Sequence, residues 1–97
     1  MAQVIWTMRA ADDLEDIAQY IALDKPDAAT NFVGKVIHAV DQLADFPMMG
    51  RLVPELRLPR YREVIVAPCR VIYTPDKDRV IIQRIIRGER QVHPGLL

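Results

Sequence analysis

The sequence predicts a single α+β domain with the order β-α-α-β-β-β, in which an antiparallel helical hairpin packs on one face of a small, mostly antiparallel sheet. Three observations carry this prediction. The chain has 97 residues, a length that commonly forms one domain around one core. Apolar residues recur at helical spacing through most of the first half, whereas short Val- and Ile-rich segments separated by turn residues fill the second. Residues 1–97 are therefore expected to form one domain.

The first half is predicted to hold one strand and two helices. Alternating residues from Gln3 to Thr7 favour a short strand, and Thr7 suits the N-cap of the helix that follows. Pro26 suits the first position of the second helix, which the Phe46-Pro47 pair ends. The short link between the helices makes them antiparallel. Their apolar positions are Ala10, Leu14, Ile17, Ala18, Ile21 and Ala22 in the first, and Ala29, Phe32, Val33, Val36, Ile37, Val40, Leu43 and Ala44 in the second.

The second half is predicted to hold an extended connection and then a three-stranded meander. Gly50, Pro54 and Pro59 interrupt regular structure, so the stretch from Met48 to Arg60 has room for at most a short edge strand. The N-terminal strand is expected to pair along one edge of the meander. The predicted strands are 61–67, 69–74 and 79–87, and the predicted turns are 67–68 and 75–78.

Pairing across these turns sorts the strand residues into an apolar face, which receives the helices, and a mixed face. On the mixed face Glu63 and Arg70 become diagonal neighbours, with Arg70 opposite Gln83. A polar cluster and a simple ion pair on a wet face both fit this arrangement. The isoleucines between the charges predict an apolar patch covered by a partner or by the chain's own tail. The patch consists of Ile65, Ile72, Ile81 and Ile85, while Arg62 and Arg84 lie near the margins of the apolar face.

The formal net charge is zero, but the two halves of the chain differ strongly. Residues 1–50 carry three basic and eight acidic side chains, whereas residues 51–97 carry ten basic side chains, nine of them arginine, and five acidic ones. Arginine is suited to planar, bidentate recognition of phosphate or carboxylate. The second half is therefore predicted to face a partner.

Composition also excludes several classes of protein. No apolar run approaches the roughly 20 residues that cross a bilayer, and the first residues lack the pattern of a secretory signal, so a cytoplasmic protein is expected. The single cysteine, Cys69, cannot form an internal disulfide and is expected to be buried in a strand. His38 and His93 have no second ligand at helical spacing, so neither is predicted to bind a metal.

A series of motifs runs in order along nearly the whole chain and falls on the predicted elements. These motifs are Ala10, Asp13-Leu14, Ile17, Tyr20-Ile21-Ala22, Pro26, Ala28-Ala29, Phe32, Leu43, Pro47, Gly50-Arg51, Pro54-Glu55-Leu56, Tyr61-Arg62-Glu63, Arg70-Val71-Ile72-Tyr73 and Gly88-x-Arg90. Together they resemble the RelE/ParE toxin superfamily. The segment from Gly50 to Leu56 and the closing Arg90-Gln91 pair look more like the ParE branch.

The resemblance implies the toxin of a type II toxin–antitoxin system, which inhibits bacterial growth and is held inactive in a complex with its cognate antitoxin. Genes of this kind often stabilise plasmids. ParE-like members act on DNA gyrase, whereas RelE-like members cleave messenger RNA on the ribosome. The resemblance implies no cofactor and no membrane partner. Because the two branches share a fold, the fold alone does not choose between the targets.

The residues themselves favour inhibition of gyrase without catalysis. RNA cleavage through the 2′-hydroxyl needs a base, an acid and cations around the phosphorane. Relatives of the RelE type resemble one another in a lysine- and arginine-lined site, often with a C-terminal tyrosine, which residues 88–97 lack. Many relatives also have histidine in place of Arg87 and tyrosine in place of Cys69. A ribosome-dependent endoribonuclease and a degenerate toxin that only binds its antitoxin stay open as alternatives.

Two sets of candidate residues follow. For a nuclease, the candidate catalytic residues are Glu63, Arg70, Arg87, Arg90 and His93. For contact with a partner or target, the candidates are Arg62, Ile65, Arg70, Ile72, Ile81, Gln83, Arg84, Ile85, Arg87 and Arg90.

Overall fold

Two helices lie against one face of a five-stranded mixed sheet in the computed structural model, which describes residues 1–97. The elements are β1 (Gln3–Trp6), α1 (Met8–Ala22), α2 (Pro26–Asp45), β2 (Arg51–Leu52), β3 (Arg62–Val66), β4 (Cys69–Asp76), β5 (Arg79–Arg87) and a C-terminal 3-10 turn (Pro94–Leu96). The strand order is β1-β5-β4-β3-β2, with β1 parallel to β5 and the other pairs antiparallel. The predicted fold class is confirmed, and β2 is the short edge strand that the connection had room for.

The helix boundaries are set by the residues that the sequence singled out. The Thr7 hydroxyl accepts a hydrogen bond from the backbone N–H of Ala10 at 3.1 Å and so caps α1. The same hydroxyl donates to the carbonyl oxygen of Ile82 at 2.8 Å, which fixes the start of α1 against β5. Pro26 is the first residue of α2, and the helix ends at Asp45. Because Thr7 serves as the cap, β1 stops one residue earlier than predicted.

The main core lies between the helices and the sheet, and Tyr73 is the largest side chain fully enclosed in it. The Tyr73 hydroxyl donates to the carbonyl oxygen of Pro47 at 2.8 Å and accepts from the N–H of Gly50 at 2.9 Å. Burial raises the pKa of Tyr73, so the phenol stays neutral and keeps both hydrogen bonds. One β4 side chain thereby ties the connection after α2 to the centre of the sheet.

The pairing of β4 with β5 differs from the prediction. Strand β4 continues to Asp76, and only two residues, Lys77 and Asp78, form the turn. A bulge between Ile72 and Tyr73 leaves Gln83 without a partner across the ladder, so Arg70 lies opposite Ile86 and not opposite Gln83. The pairing of β3 with β4 follows the predicted register.

Because a one-residue shift exchanges the faces of a strand, the bulge moves Ile85 off the mixed face on which it was predicted. Ile85 lies in the main core under the helices, and Ile86 lies on the opposite face. On that opposite face Ile72 and Ile86 are covered by a loop and by the C-terminal tail. The five members of this second cluster are Val53, Leu56, Ile72, Ile86 and Val92.

Neither helix combines the length and the apolar character that a membrane crossing requires.

Candidate functional site

Arg70 is the centre of an ion-pair network on the face of the sheet that lies away from the helices. Its two terminal nitrogens donate to the two carboxylate oxygens of Glu55, each at 2.7 Å. Its Nε donates to Oε1 of Glu63 at 2.7 Å. The side chain of Arg70 is 7% exposed and that of Glu63 is 0% exposed. The predicted cluster of Glu63 and Arg70 is therefore present, and it is buried.

The network extends to the surface through Arg51, which belongs to the edge strand β2. Nε of Arg51 donates to the second oxygen of Glu63 at 2.7 Å, and the Arg51 side chain is 61% exposed. Strand β2 pairs Arg51 directly opposite Glu63, so the strand pairing itself positions this contact. Both carboxylate oxygens of Glu63 are thus occupied by arginine.

Glu55 links the network to the C-terminal tail. The N–H of Val92 donates to Oε2 of Glu55 at 3.3 Å, and Arg70 also donates to the carbonyl oxygen of Arg90 at 3.4 Å. The hydrogen bonds from Arg70, followed by smaller backbone contributions, lower the pKa of Glu55 from 4.5 to about 2. The pKa of Arg70 is raised by the same pairing. Loop, sheet and tail therefore share one charged junction.

A second ion pair closes the open edge of β5. Strand β1 covers β5 only from Arg79 to Ile82, so the rest of this edge has no neighbouring strand. Asp13 of α1 accepts from Arg84 at 2.7 and 3.0 Å and from the backbone N–H of Ile85 at 3.0 Å. Arg84 in turn donates to the carbonyl oxygen of Leu96 at 2.6 Å, as does Arg9 at 2.9 Å. The tail is held at both of its ends.

The other candidate residues lie around this network. Arg87 is exposed at the end of β5 and pairs with Glu89 at 2.7 Å. Arg90 and His93 are exposed on the tail. Arg62 donates to the carbonyl oxygen of Gly50 at 2.7 Å, and its Nε is buried without a hydrogen-bond partner.

An open groove of about 390 Å³ lies above the network, and Arg70 and Cys69 form part of its lining together with Arg51 and Gly88. Burial raises the pKa of the Cys69 thiol, and Cys69 is 0% exposed, so the thiolate needed for nucleophilic attack is disfavoured. No group of three or more His, Cys, Asp or Glu side chains is placed to hold a metal ion. At the edge of the groove the exposed guanidinium of Arg51 can bind an anionic group of a partner molecule.

The model of one protein family, the ParE toxin of the type II toxin–antitoxin system parDE, matches residues 4–92. The chain belongs to this family of toxins. Toxin RelE2 of Caulobacter vibrioides is 42% identical over 72 residues, which is 74% of this chain and 77% of that protein. Y4kP of Sinorhizobium fredii is 40% identical over 65 residues, and the match spans 67% of this chain and 65% of Y4kP.

The solved structures agree with this membership. A chain from the chromosomal ParDE TA system of P. aeruginosa is similar to this ParE-family chain with a TM-score of 0.77 and 25% identity. The similarity covers 92% of this chain and 98% of the other. The two-helix, five-strand arrangement described above is therefore the fold of the family, and the suspected resemblance to the RelE/ParE superfamily is confirmed.

Two of the four isoleucines in the predicted apolar patch of this ParE-family chain are closed to a partner, and one of these, Ile85, lies on the wrong face. Ile72 is 0% exposed because loop and tail cover it, and Ile85 is 1% exposed because the bulge turns it towards the helices. Ile65 is 57% exposed, and Ile81 is half-buried. The sequence left open whether a partner or the chain's own tail covers the mixed face. At Ile72 the chain itself provides the cover, through the tail together with the loop.

Sequence reasoning missed the partners that fix the arginines of this ParE-family chain. Glu55 and Asp13 each appeared only as part of a family motif, because neither lies near its arginine in sequence. Seventy-one residues separate Asp13 from Arg84, and fifteen separate Glu55 from Arg70. A surplus of arginine over lysine was the available signal, since buried ion pairs favour the planar guanidinium.

Proposed function

We propose that this chain is the toxin of a type II toxin–antitoxin pair, that it arrests bacterial growth by binding DNA gyrase without catalysing a reaction, and that a cognate antitoxin in the cytoplasm neutralises it. Membership of the ParE toxin family supports the toxin class. The ParDE complex that is similar in fold supports an antitoxin partner for this chain.

The choice against catalysis rests on one observation: the side chains of Glu63 and Arg70 are already bound to other charged side chains of the protein. A general base has to reach the proton that it removes, and a catalytic cation has to reach the developing charge. Here both oxygens of Glu63 bind arginines, and Arg70 is enclosed between two carboxylates. This supports a structural role for the pair and a toxin that acts by binding.

Supercoiling assays test the proposal with purified gyrase, relaxed plasmid and micromolar toxin. Inhibited supercoiling, or gyrase-dependent cleavage of the plasmid, is expected. Toxin that arrests growth in cells yet leaves purified gyrase unaffected would refute gyrase as the target.

A ribosome-dependent endoribonuclease is the second candidate, favoured by the exposed arginines Arg87 and Arg90 at and just after the end of β5. Primer extension on messenger RNA after induction would then show new cuts within codons. Arg87→Ala and Arg90→Ala would abolish those cuts without unfolding the chain, because both side chains are exposed. The third possibility, a degenerate toxin that only binds its antitoxin, predicts that induction does not slow growth in any of several hosts.

A further inference from the structure

The loop between Leu56 and Tyr61 carries two arginines that have no ion-pair or hydrogen-bond partner within the chain. Arg57 and Arg60 are exposed, and neither forms an ion pair or donates a side-chain hydrogen bond. Leu56 before them is 5% exposed and packs in the second cluster. Residues 57–60 are called the cationic loop below. Their two arginines are free to bind a partner, and the buried side chain of Leu56 holds the start of the loop in place.

The backbone of the cationic loop is strained and held in place. Arg57 has a φ of 49°, in the left-handed region that side chains other than glycine rarely adopt. The N–H of Tyr61 donates to the carbonyl oxygen of Leu58 at 3.1 Å and closes the turn. Strain of this kind persists only where the surroundings enforce it, and it concentrates in binding loops and active sites.

A pocket of about 380 Å³ opens beside the loop, on the face of the sheet away from the helices. The Arg60 guanidinium lies 5.0 Å from the centroid of the Tyr61 ring, a cation–π distance that orients the arginine at the rim. Ile81 contributes an apolar wall, and the bulge directs Gln83 into the lining. The Gln83 amide donates to the Thr74 hydroxyl at 3.0 Å, so its carbonyl oxygen is the end left for a ligand.

These groups select one kind of partner. Free guanidinium groups attract carboxylates, and the tyrosine and isoleucine walls suit an apolar side chain next to that carboxylate. Asp76 also lines the pocket, but Arg79 pairs with it at 3.0 Å, so the charge in the lining that has no ion-pair partner is that of Arg60. Arginine and tyrosine are, with tryptophan, enriched at the energetic centre of protein interfaces.

We infer that the cationic loop and the pocket beside it form the contact with the toxin's target, and that the target presents an acidic side chain next to an apolar one on a protein surface. The inference rests on the proposed function, because it takes the target to be a protein. The inference does not depend on the Arg70 network, because neither Arg57 nor Arg60 takes part in that network.

The test compares the double variant Arg57→Glu/Arg60→Glu with Lys35→Glu. Lys35 is an exposed cation on α2, on the other side of the sheet. The control therefore makes the same kind of charge reversal at a single position away from the loop. Arg60→Gln is a milder third variant, in case the double reversal does not fold. Circular dichroism and thermal melting establish which variants are folded. Growth arrest after induction and the toxin concentration that halves gyrase supercoiling are then measured.

The double variant is expected to need at least about tenfold more toxin to halve supercoiling, and Arg60→Gln roughly three- to tenfold more, because charged residues at the centre of an interface carry much of its affinity. Lys35→Glu is expected to stay within about twofold of the wild type. Folded loop variants that inhibit as well as the wild type would overturn the inference.

Growth arrest separates failure of the inference from failure of the proposed function. If the wild type arrests growth but does not inhibit gyrase, the gyrase proposal fails. The loop is then supported by folded variants that lose toxicity with unchanged affinity for a fluorescent DNA and a fluorescent RNA oligonucleotide. Variants that remain toxic, or that lose toxicity together with oligonucleotide affinity, would overturn it. A wild-type chain with no effect in either assay would refute both proposals.

Discussion

The face of the sheet under the helices is filled by aliphatic side chains and Tyr73, whereas the opposite face combines a small apolar cluster with the ion pairs of Arg70. Burial of apolar surface has no preferred direction and does not depend on pH. Ion pairs require a particular partner in a particular place, and breaking one leaves a buried charge. The two faces are therefore expected to respond differently to mutation and to acid.

The largest expected effect is on the charged face. Arg70→Met keeps the bulk of the side chain but leaves the enclosed Glu63 and Glu55 without their main partner. We expect a loss of about 3–5 kcal/mol in the free energy of unfolding, measured by urea denaturation. Arg79→Met, at an exposed pair, is the control and is expected to cost less than about 1 kcal/mol. Similar small losses in both variants would mean that the charged face is not held by its ion pairs.

The next largest effect lies where α1 meets the sheet edge. Asp13→Ala removes the acceptor for Arg84 and for the N–H of Ile85, and it should cost about 1.5–3 kcal/mol. Asp12, the neighbouring exposed residue, provides the matched control. Asp12→Ala is expected to change the free energy of unfolding very little. Hydrogen exchange adds a local measurement, since the Ile85 amide should exchange faster in Asp13→Ala alone. Equal exchange at Ile85 in both variants would contradict the assigned contact.

A steric test probes the helix-covered face. A Cβ added at Gly50 would lie 2.6 Å from the Tyr73 hydroxyl oxygen and 2.7 Å from the carbonyl oxygen of Glu63. Gly50→Ala should therefore cost about 1–3 kcal/mol. Gly34, in the exposed middle of α2, has no neighbour within 4 Å, so Gly34→Ala should instead stabilise the chain by about 0.5–1 kcal/mol. In thermal unfolding, the Tm of Gly50→Ala should fall below that of the wild type and the Tm of Gly34→Ala should rise above it. Shifts in the same direction would contradict the packing described for Gly50.

A dependence on pH is expected for the charged face. The pKa of Glu55 is lowered to about 2, so its contribution to stability is complete above its ordinary pKa of 4.5 and is lost as the pH falls towards 2. Wild type should be more stable than Glu55→Gln at pH 7, and the difference should shrink between pH 4.5 and about 2. A difference that stays constant over this range would show that Glu55 is not the titrating group.

The fold was predictable because its determinants are local. Helical spacing, the cap at Thr7, the proline that begins α2 and the Val- and Ile-rich strands each act over a few residues. The register of β4 against β5 was not predictable, because it depends on a two-residue turn in which Lys77 adopts a φ of 55° and on the bulge between Ile72 and Tyr73. A shift of one residue there was enough to exchange Ile85 and Ile86 between the faces.

The candidate site was predictable only in part. The pairing of β3 with β4 brought Glu63 and Arg70 together as expected, since their register follows from a short turn. Their burial depends on Glu55 and Val92, which arrive from a loop and from the tail and have no periodic pattern to place them. The free charge of Arg57 and Arg60 likewise became apparent only once the partners of most other arginines were known.

The position of Asp13 also bears on solubility. An uncovered strand edge is a template for a strand of another molecule, and proteins commonly protect such edges with short strands or charged groups. Strand β2 has two residues at one border of the sheet, and at the other border the Asp13 carboxylate occupies an amide of β5 that a foreign strand would need. We therefore expect this carboxylate to reduce edge-to-edge aggregation, and its loss should be visible as faster aggregation of concentrated protein even under conditions in which the fold survives.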